Sequence, residues 1–130
     1  MSFFLHGVRV PHRKNTADIA AVRMDAPKTV ILPTSMHIGA PATPIVKKGD
    51  KVLTGQLIGE ATGFVSANIH SPISGTVTAV DMLPNGQGQH RMMVVIKREG
   101  DEGVETIDRS TELKRACTLE PTEIIAKVKE

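Results

Sequence analysis

Tryptophan and tyrosine are absent from this chain of 130 residues, and three phenylalanines supply all of its 2% aromatic content. Grooves for single-stranded nucleic acid rely on aromatic side chains for base stacking, so no nucleic-acid partner is expected. The only cysteine is Cys117. It excludes an internal disulfide and the clustered thiolates that a zinc site or an iron–sulfur cluster needs. No apolar run approaches the roughly 20 residues of a membrane-spanning helix, so direct insertion into a bilayer is not expected either. The opening Met1-Ser2-Phe3-Phe4-Leu5 is too short for the apolar region of a signal peptide and runs straight into His6-Gly7-Val8-Arg9. A cytoplasmic protein is the expectation.

The chemistry-bearing motifs are also missing. The chain contains no Gly-x-Gly-x-x-Gly, no Gly-x-x-x-x-Gly-Lys-Ser/Thr and no His-Glu-x-x-His, so neither a phosphate cradle nor zincin chemistry has a local motif. Five histidines, His6, His12, His37, His70 and His90, are the available metal or acid–base groups, and their separations match no ligand pattern. Ser35, Ser66, Ser71 and Ser74 lack a nucleophile elbow and a committed base, and read as turn residues. We therefore expect no catalytic, metal or cofactor-binding residue in this chain. The net charge of +2 is modest. The early basic residues Arg9, His12, Arg13, Lys14, Arg23 and Lys28 are interrupted by Asp18 and Asp25, as on an ordinary solvated surface.

What is present is a 40% hydrophobic, 23% charged chain of ordinary globular composition and one-domain length. Residues 1–28 read as an extended, poorly periodic lead-in punctuated by Gly7, Pro11 and Pro27. From Thr29 the pattern changes to short apolar pieces: Thr29–Leu32, Thr43–Val46, Gln56–Ile58, Phe64–Ile69, Thr76–Val80 and Met92–Ile96. Frequent turn signals between short β-prone runs predict an all-β sandwich or barrel over residues 29–108. Gly49, Asp50, Gly55, Ser74 and Gly75 are expected at its turns, and Leu83-Pro84-Asn85-Gly86 at a reversal. Ile38, Pro41 and Val46 recur with the same spacing as Ile69, Pro72 and Val77. This weak repeat suggests two pseudo-symmetric halves. Val104–Ile107 could add a last strand. Residues 109–130 read as a linker and a short helix near the C-terminus, with Pro121 in its first turn and Ile124, Ile125 and Val128 on one face.

The run from Val46 to Ala61, answered by Ser71-Pro72-Ile73-Ser74-Gly75-Thr76-Val77, resembles the two halves of a biotinyl or lipoyl carrier. Those carriers modify a lysine in the hairpin between the halves, but this chain has no lysine between Lys51 and Lys97. A swinging carrier is accordingly disfavoured.

Further motifs extend the resemblance. They are His6-Gly7-Val8 with Pro11-His12-Arg13-Lys14, Met36-His37-Ile38-Gly39-Ala40-Pro41-Ala42, Lys48-Gly49-Asp50 with Gly55-Gln56 and Ile58-Gly59, Gly63-Phe64-Val65-Ser66-Ala67 with His70, and Ser74-Gly75-Thr76-Val77. Together they resemble the N-terminal region of the RnfC subunit of the Rnf electron-transport complex, with Gly7-Val8-Arg9-Val10-Pro11-His12 where that family more often has a second glycine and a His-Pro pair, and Met36 where glutamine is common. The resemblance implies a barrel-sandwich hybrid domain, excised from a longer subunit that carries a nucleotide-binding domain for FMN and NADH and two [4Fe–4S] clusters. It also implies a parent at the cytoplasmic face of the membrane, in an ion-translocating NAD:ferredoxin oxidoreductase. Equivalent modules occur in a related cobalamin reductase and in a sodium-pumping NADH:quinone reductase. On this reading the chain itself is a non-catalytic docking module. Its expected partners are the following nucleotide-binding domain and other subunits, and its expected contact loops are His37–Pro41, with His37, Ile38, Gly39, Ala40 and Pro41, and Gly63–His70, with Gly63, Phe64 and His70 foremost.

Overall fold

A computed structural model describes residues 11–108, 110–113 and 115–129. Its strands are β1 (Thr29–Pro33), β2 (Thr43–Pro44), β3 (Lys51–Val52), β4 (Leu57–Glu60), β5 (Ile69–His70), β6 (Ser74–Pro84) and β7 (His90–Gly100), followed by helix α1 (Pro121–Lys129). Two sheets form, one in the order β1-β7-β6-β3 and the other β2-β4-β5, with every pairing between strands antiparallel. The chain crosses between them repeatedly: β1 lies in the larger sheet, β2 in the smaller, β3 in the larger, β4 and β5 in the smaller, β6 and β7 in the larger. Short strands alone could not hold such an arrangement. A shared core of Ala42, Val46, Val52, Ile58, Ile69, Ile73, Val77, Val94 and Ile96 draws on both sheets, with Val30, Leu32 and Val80 packed against it. β-branched residues dominate that list, as expected of side chains packed on pleated surfaces.

The halves are joined by backbone as well as by apolar contact. Within the turn after Val46, the Lys47 N–H donates to Asp50 Oδ2 at 2.8 Å and the Asp50 N–H to the Lys47 carbonyl at 3.1 Å. This geometry puts Gly49 at φ 98°, in the region that favours glycine. The Gly49 N–H then reaches the Val77 carbonyl at 2.7 Å, and the Val77 N–H returns to the Asp50 carbonyl at 2.8 Å. Val46 and Val77, equivalent in the weak repeat, are both buried. Ile38 and Ile69 are not equivalent: Ile69 is in the core, whereas Ile38 is 90% exposed at a loop tip.

Several expectations from sequence need correction. Ser74 and Gly75 are not turn residues but the first two residues of β6, paired with Gly100 and Arg98 across a bulge. A Cβ on Gly75 would lie 1.9 Å from the Lys97 carbonyl oxygen, so this glycine serves close approach of two backbones. The Phe64–Ile69 run contributes only Ile69 to a strand, because Ser66 and Asn68 bind nearby backbone groups with their side chains (below). Val104–Ile107 forms no strand. Gly103 makes one isolated parallel bridge to Thr54, and the Val104 N–H bonds the Thr54 carbonyl. The β6–β7 reversal spans Asn85–Gln89, with Asn85 Oδ1 accepting from the Gln87 and Gln89 N–H groups, and Gly88 rather than Gly86 takes positive φ. At the far end of β7, Asp101 forks onto the Arg98 guanidinium; that hydrogen bond, then its charge, raises the arginine's pKa above its usual value.

Helix α1 begins on a reciprocal cap in which the Glu120 carbonyl accepts from Glu123 and Ile124 while the Glu123 carboxylate accepts from the Glu120 N–H. None of its residues is buried. Among the described residues no helix is long and apolar enough to cross a membrane.

Candidate functional site

Two loops emerge at one end of the module. One, residues 35–41, connects β1 to β2; the other, residues 61–68, connects β4 to β5. They fold onto each other through polar groups. The Ala40 N–H donates to the Val65 carbonyl at 2.9 Å, and Gly39 passes so close that a Cβ there would sit 2.0 Å from the same oxygen. Gly39 also has φ 103°, so both conformation and space require glycine.

His37 sits in the seam. Its Nε2 lies 2.9 Å from the Ala40 carbonyl, 3.2 Å from the Ala67 N–H and 3.4 Å from Ser66 Oγ. One nitrogen cannot donate and accept at once. With the proton on Nε2 it donates to Ala40; with the proton on Nδ1 it accepts from Ala67 and bridges the loops. Ser66 Oγ supplies the bridge in either case, donating to the Ala40 carbonyl at 2.8 Å while accepting from the Thr62 N–H at 3.2 Å. Thr62 Oγ1 adds a bond to the Pro41 carbonyl at 2.8 Å, and Asn68 Oδ1 holds the Ala61 N–H at 3.0 Å. Thr62 lies just outside the Gly63–His70 loop expected from sequence to make contacts, whereas Ser66 and Asn68 lie within it. The signal available is the spacing of short polar side chains through a segment that reads as a strand, since these residue types bind neighbouring backbone in place of a ladder.

The structure thus brings His37, Ile38, Gly39, Ala40 and Pro41 into one surface with Gly63 and Phe64. His70 stands apart in β5, paired with Leu57 and half-buried. Apolar side chains crown the surface: Phe64 is fully exposed, and Met36, Ile38 and Val65 are exposed beside it in the sequence of the two loops. The end of α1 reaches the same loop, where Asn68 Nδ2 donates to the Lys129 carbonyl at 3.3 Å. Of the other histidines, His12 and His90 are exposed and His6 lies outside the described residues. No group of three or more His, Cys, Asp or Glu among the described residues is placed to hold a metal ion.

Two sheets traversed alternately by one chain around a shared Val/Ile core, with the two end loops tied to each other, define a barrel-sandwich hybrid. The family model of the RnfC barrel sandwich hybrid domain matches residues 2–101, and the chain belongs to that family. The C subunit of the Na(+)-translocating ferredoxin:NAD(+) oxidoreductase complex of Acetobacterium woodii is 47% identical over 118 residues, 90% of this chain and 26% of that protein. The C subunit of the proton-translocating ferredoxin:NAD(+) oxidoreductase complex of Clostridium ljungdahlii is 40% identical over 87% of this chain and 25% of its own length. Its counterpart in the ion-translocating oxidoreductase complex of Rhodobacter capsulatus is 41% identical over 78% of this chain and 20% of its own. The chain spans about a quarter of the length of these relatives.

Proposed function

We propose that this chain is a structural and docking module of the RnfC subunit of an ion-translocating ferredoxin:NAD oxidoreductase complex, and that the paired loops carrying Ile38 and Phe64 are its contact surface. The observation that carries this reading is the combination at the tip: fully exposed apolar side chains on loops tied together by hydrogen bonds. An exposed phenylalanine costs solvation in the free domain, whereas polar ties between the loops reduce the entropy lost when a partner covers it. The membership in the RnfC family and the names of the relatives support the identity of the complex.

In this reading the module braces the nucleotide-binding part of the subunit and contacts other subunits at the cytoplasmic face of the membrane. FMN, NADH and two [4Fe–4S] clusters belong to other parts of the subunit. These residues do not fit a cluster, because one exposed cysteine stands where four thiolates are needed. Calorimetry on the 130-residue chain checks the assignment: no heat of binding is expected with FMN or NADH, and micromolar affinity for either would overturn the docking-only reading. Intact mass after co-expression with biotin and lipoate ligases should be that of the bare chain.

A further inference from the structure

Asn85-Gly86, in the reversal between β6 and β7, is the chain's one Asn-Gly pair. Asn85 Oδ1 accepts from the Gln87 and Gln89 N–H groups, each at 2.9 Å. The backbone of the residue is held as well: its N–H donates to the Gln89 carbonyl at 2.8 Å, and its carbonyl accepts from the Gly88 N–H at 2.9 Å. Neither Asn85 Nδ2 nor the Gly86 N–H has a partner among the described residues. A Cβ on Gly86 would meet nothing within 4 Å, so this stretch of backbone is open. The other two asparagines differ. Asn15 precedes the β-branched Thr16. Asn68 precedes Ile69, and both ends of its side chain are bonded, Oδ1 to the Ala61 N–H and Nδ2 to the Lys129 carbonyl.

We propose that this reversal is a self-modifying site, in which the Gly86 backbone nitrogen attacks Cγ of Asn85 and the side chain is converted to aspartate. The new N–Cγ bond closes a five-membered succinimide as the Cγ–Nδ2 bond breaks; the Gly86 amide proton goes to solvent base and Nδ2 leaves as ammonia. Water then opens the ring at Cγ, so one water is consumed and one ammonia released, with no change of oxidation state. Negative charge develops on Oδ1 during the attack, and on that atom the Gln87 and Gln89 N–H groups converge, at the distance of donors in an oxyanion hole. The attacking nitrogen has no hydrogen bond to break, no Cβ beside it crowds the approach, and the departing Nδ2 gives up no contact with the protein. The product also fits. An aspartate keeps both N–H bonds with a charged acceptor, and Arg91, whose Nη2 donates to Gln89 Oε1 at 3.0 Å, supplies a cation at the same turn. Opening at the other carbonyl gives isoaspartate, which routes the main chain through Cγ and adds a backbone carbon to the reversal.

Time courses of intact mass with peptide mapping, on the 130-residue chain folded in mildly alkaline buffer and unfolded in urea at the same pH, test it. In the folded chain a gain of about 1 Da should appear at Asn85 and not at Asn15 or Asn68. Its rate should equal or exceed the rate in urea, where Oδ1 lacks its two donors. Gly86→Ala meets no neighbour and needs no positive φ, so it should fold as the parent does while slowing the gain by about tenfold or more, because its Cβ crowds the attacking nitrogen. In hydrogen exchange, Asn85→Asp should protect the Gln87 and Gln89 amides at least as well as the parent does. A gain at Asn85 slower in the folded chain than in urea would mean that the hairpin shields this residue, and would overturn the proposal. A rate untouched by Gly86→Ala would do the same, as would faster exchange of the Gln87 and Gln89 amides in Asn85→Asp.

Discussion

The shoulder of the module, where β6 meets β7 at Ser74 and Gly75, and its tip, where residues 35–41 meet 61–68, solve close approach in opposite ways. At the shoulder, backbone lies on backbone in the interior: Gly75 is buried against the Lys97 carbonyl, and Val77 beside it is fully buried. At the tip, Gly39 meets the Val65 carbonyl as closely, but in solvent and beneath exposed Ile38 and Phe64. The shoulder holds the fold through area removed from water. The tip holds a shape through polar ties worth about 1 kcal/mol each, so it can be altered without unfolding the protein.

Substitutions sharpen this contrast. Gly75→Val should have the largest effect, since both the Lys97 backbone and the β6–β7 ladder would have to move; a cost above about 4 kcal/mol and loss of dispersed amide resonances are expected. Ile58→Ala, which empties part of the core between the sheets, should cost about 2–5 kcal/mol, read as a lower denaturation midpoint with an unchanged slope. Gly39→Ala combines positive φ with a clash but at an exposed loop free to yield. About 1–3 kcal/mol is expected, with chemical-shift changes confined to residues 35–41 and 61–68. His37→Ala should cost about 1 kcal/mol and speed exchange of the Ala67 amide; equal exchange in both proteins would put the proton on Nε2, bonded to the Ala40 carbonyl, and leave the bridge between the loops to Ser66.

The same contrast explains what can be read from the sequence. The shoulder is legible because its rules are local: short β-branched runs give β1, β6 and β7, and Lys48-Gly49-Asp50 points to a reversal. Even there, Ser74-Gly75 reads wrongly as a turn, because a glycine needed for contact between strands distant in sequence looks the same as a glycine in a turn. At the tip, the resemblance directs attention to both loops, but their mutual contact depends on Thr62, Ser66 and His37 bonding across 21 to 30 residues. No periodicity encodes that. The Phe64–Ile69 run reads as a strand because its Phe, Val and Ile have strand propensity, which the side-chain bonds of Ser66 and Asn68 override. Ile38 departs from the repeat because it lies inside the 35–41 loop, followed by the left-handed Gly39, with no strand to carry it into the core.

Phe64→Asp together with Ile38→Asp, placed in the full-length subunit, tests the central claim most directly. Both side chains are almost entirely solvated, so thermal stability of the 130-residue chain should change by less than about 1 kcal/mol. Recovery of the subunit with the purified membrane complex should fall at least tenfold relative to the unsubstituted protein. Undiminished recovery of a folded, doubly substituted subunit would contradict the assignment of these loops as the docking surface.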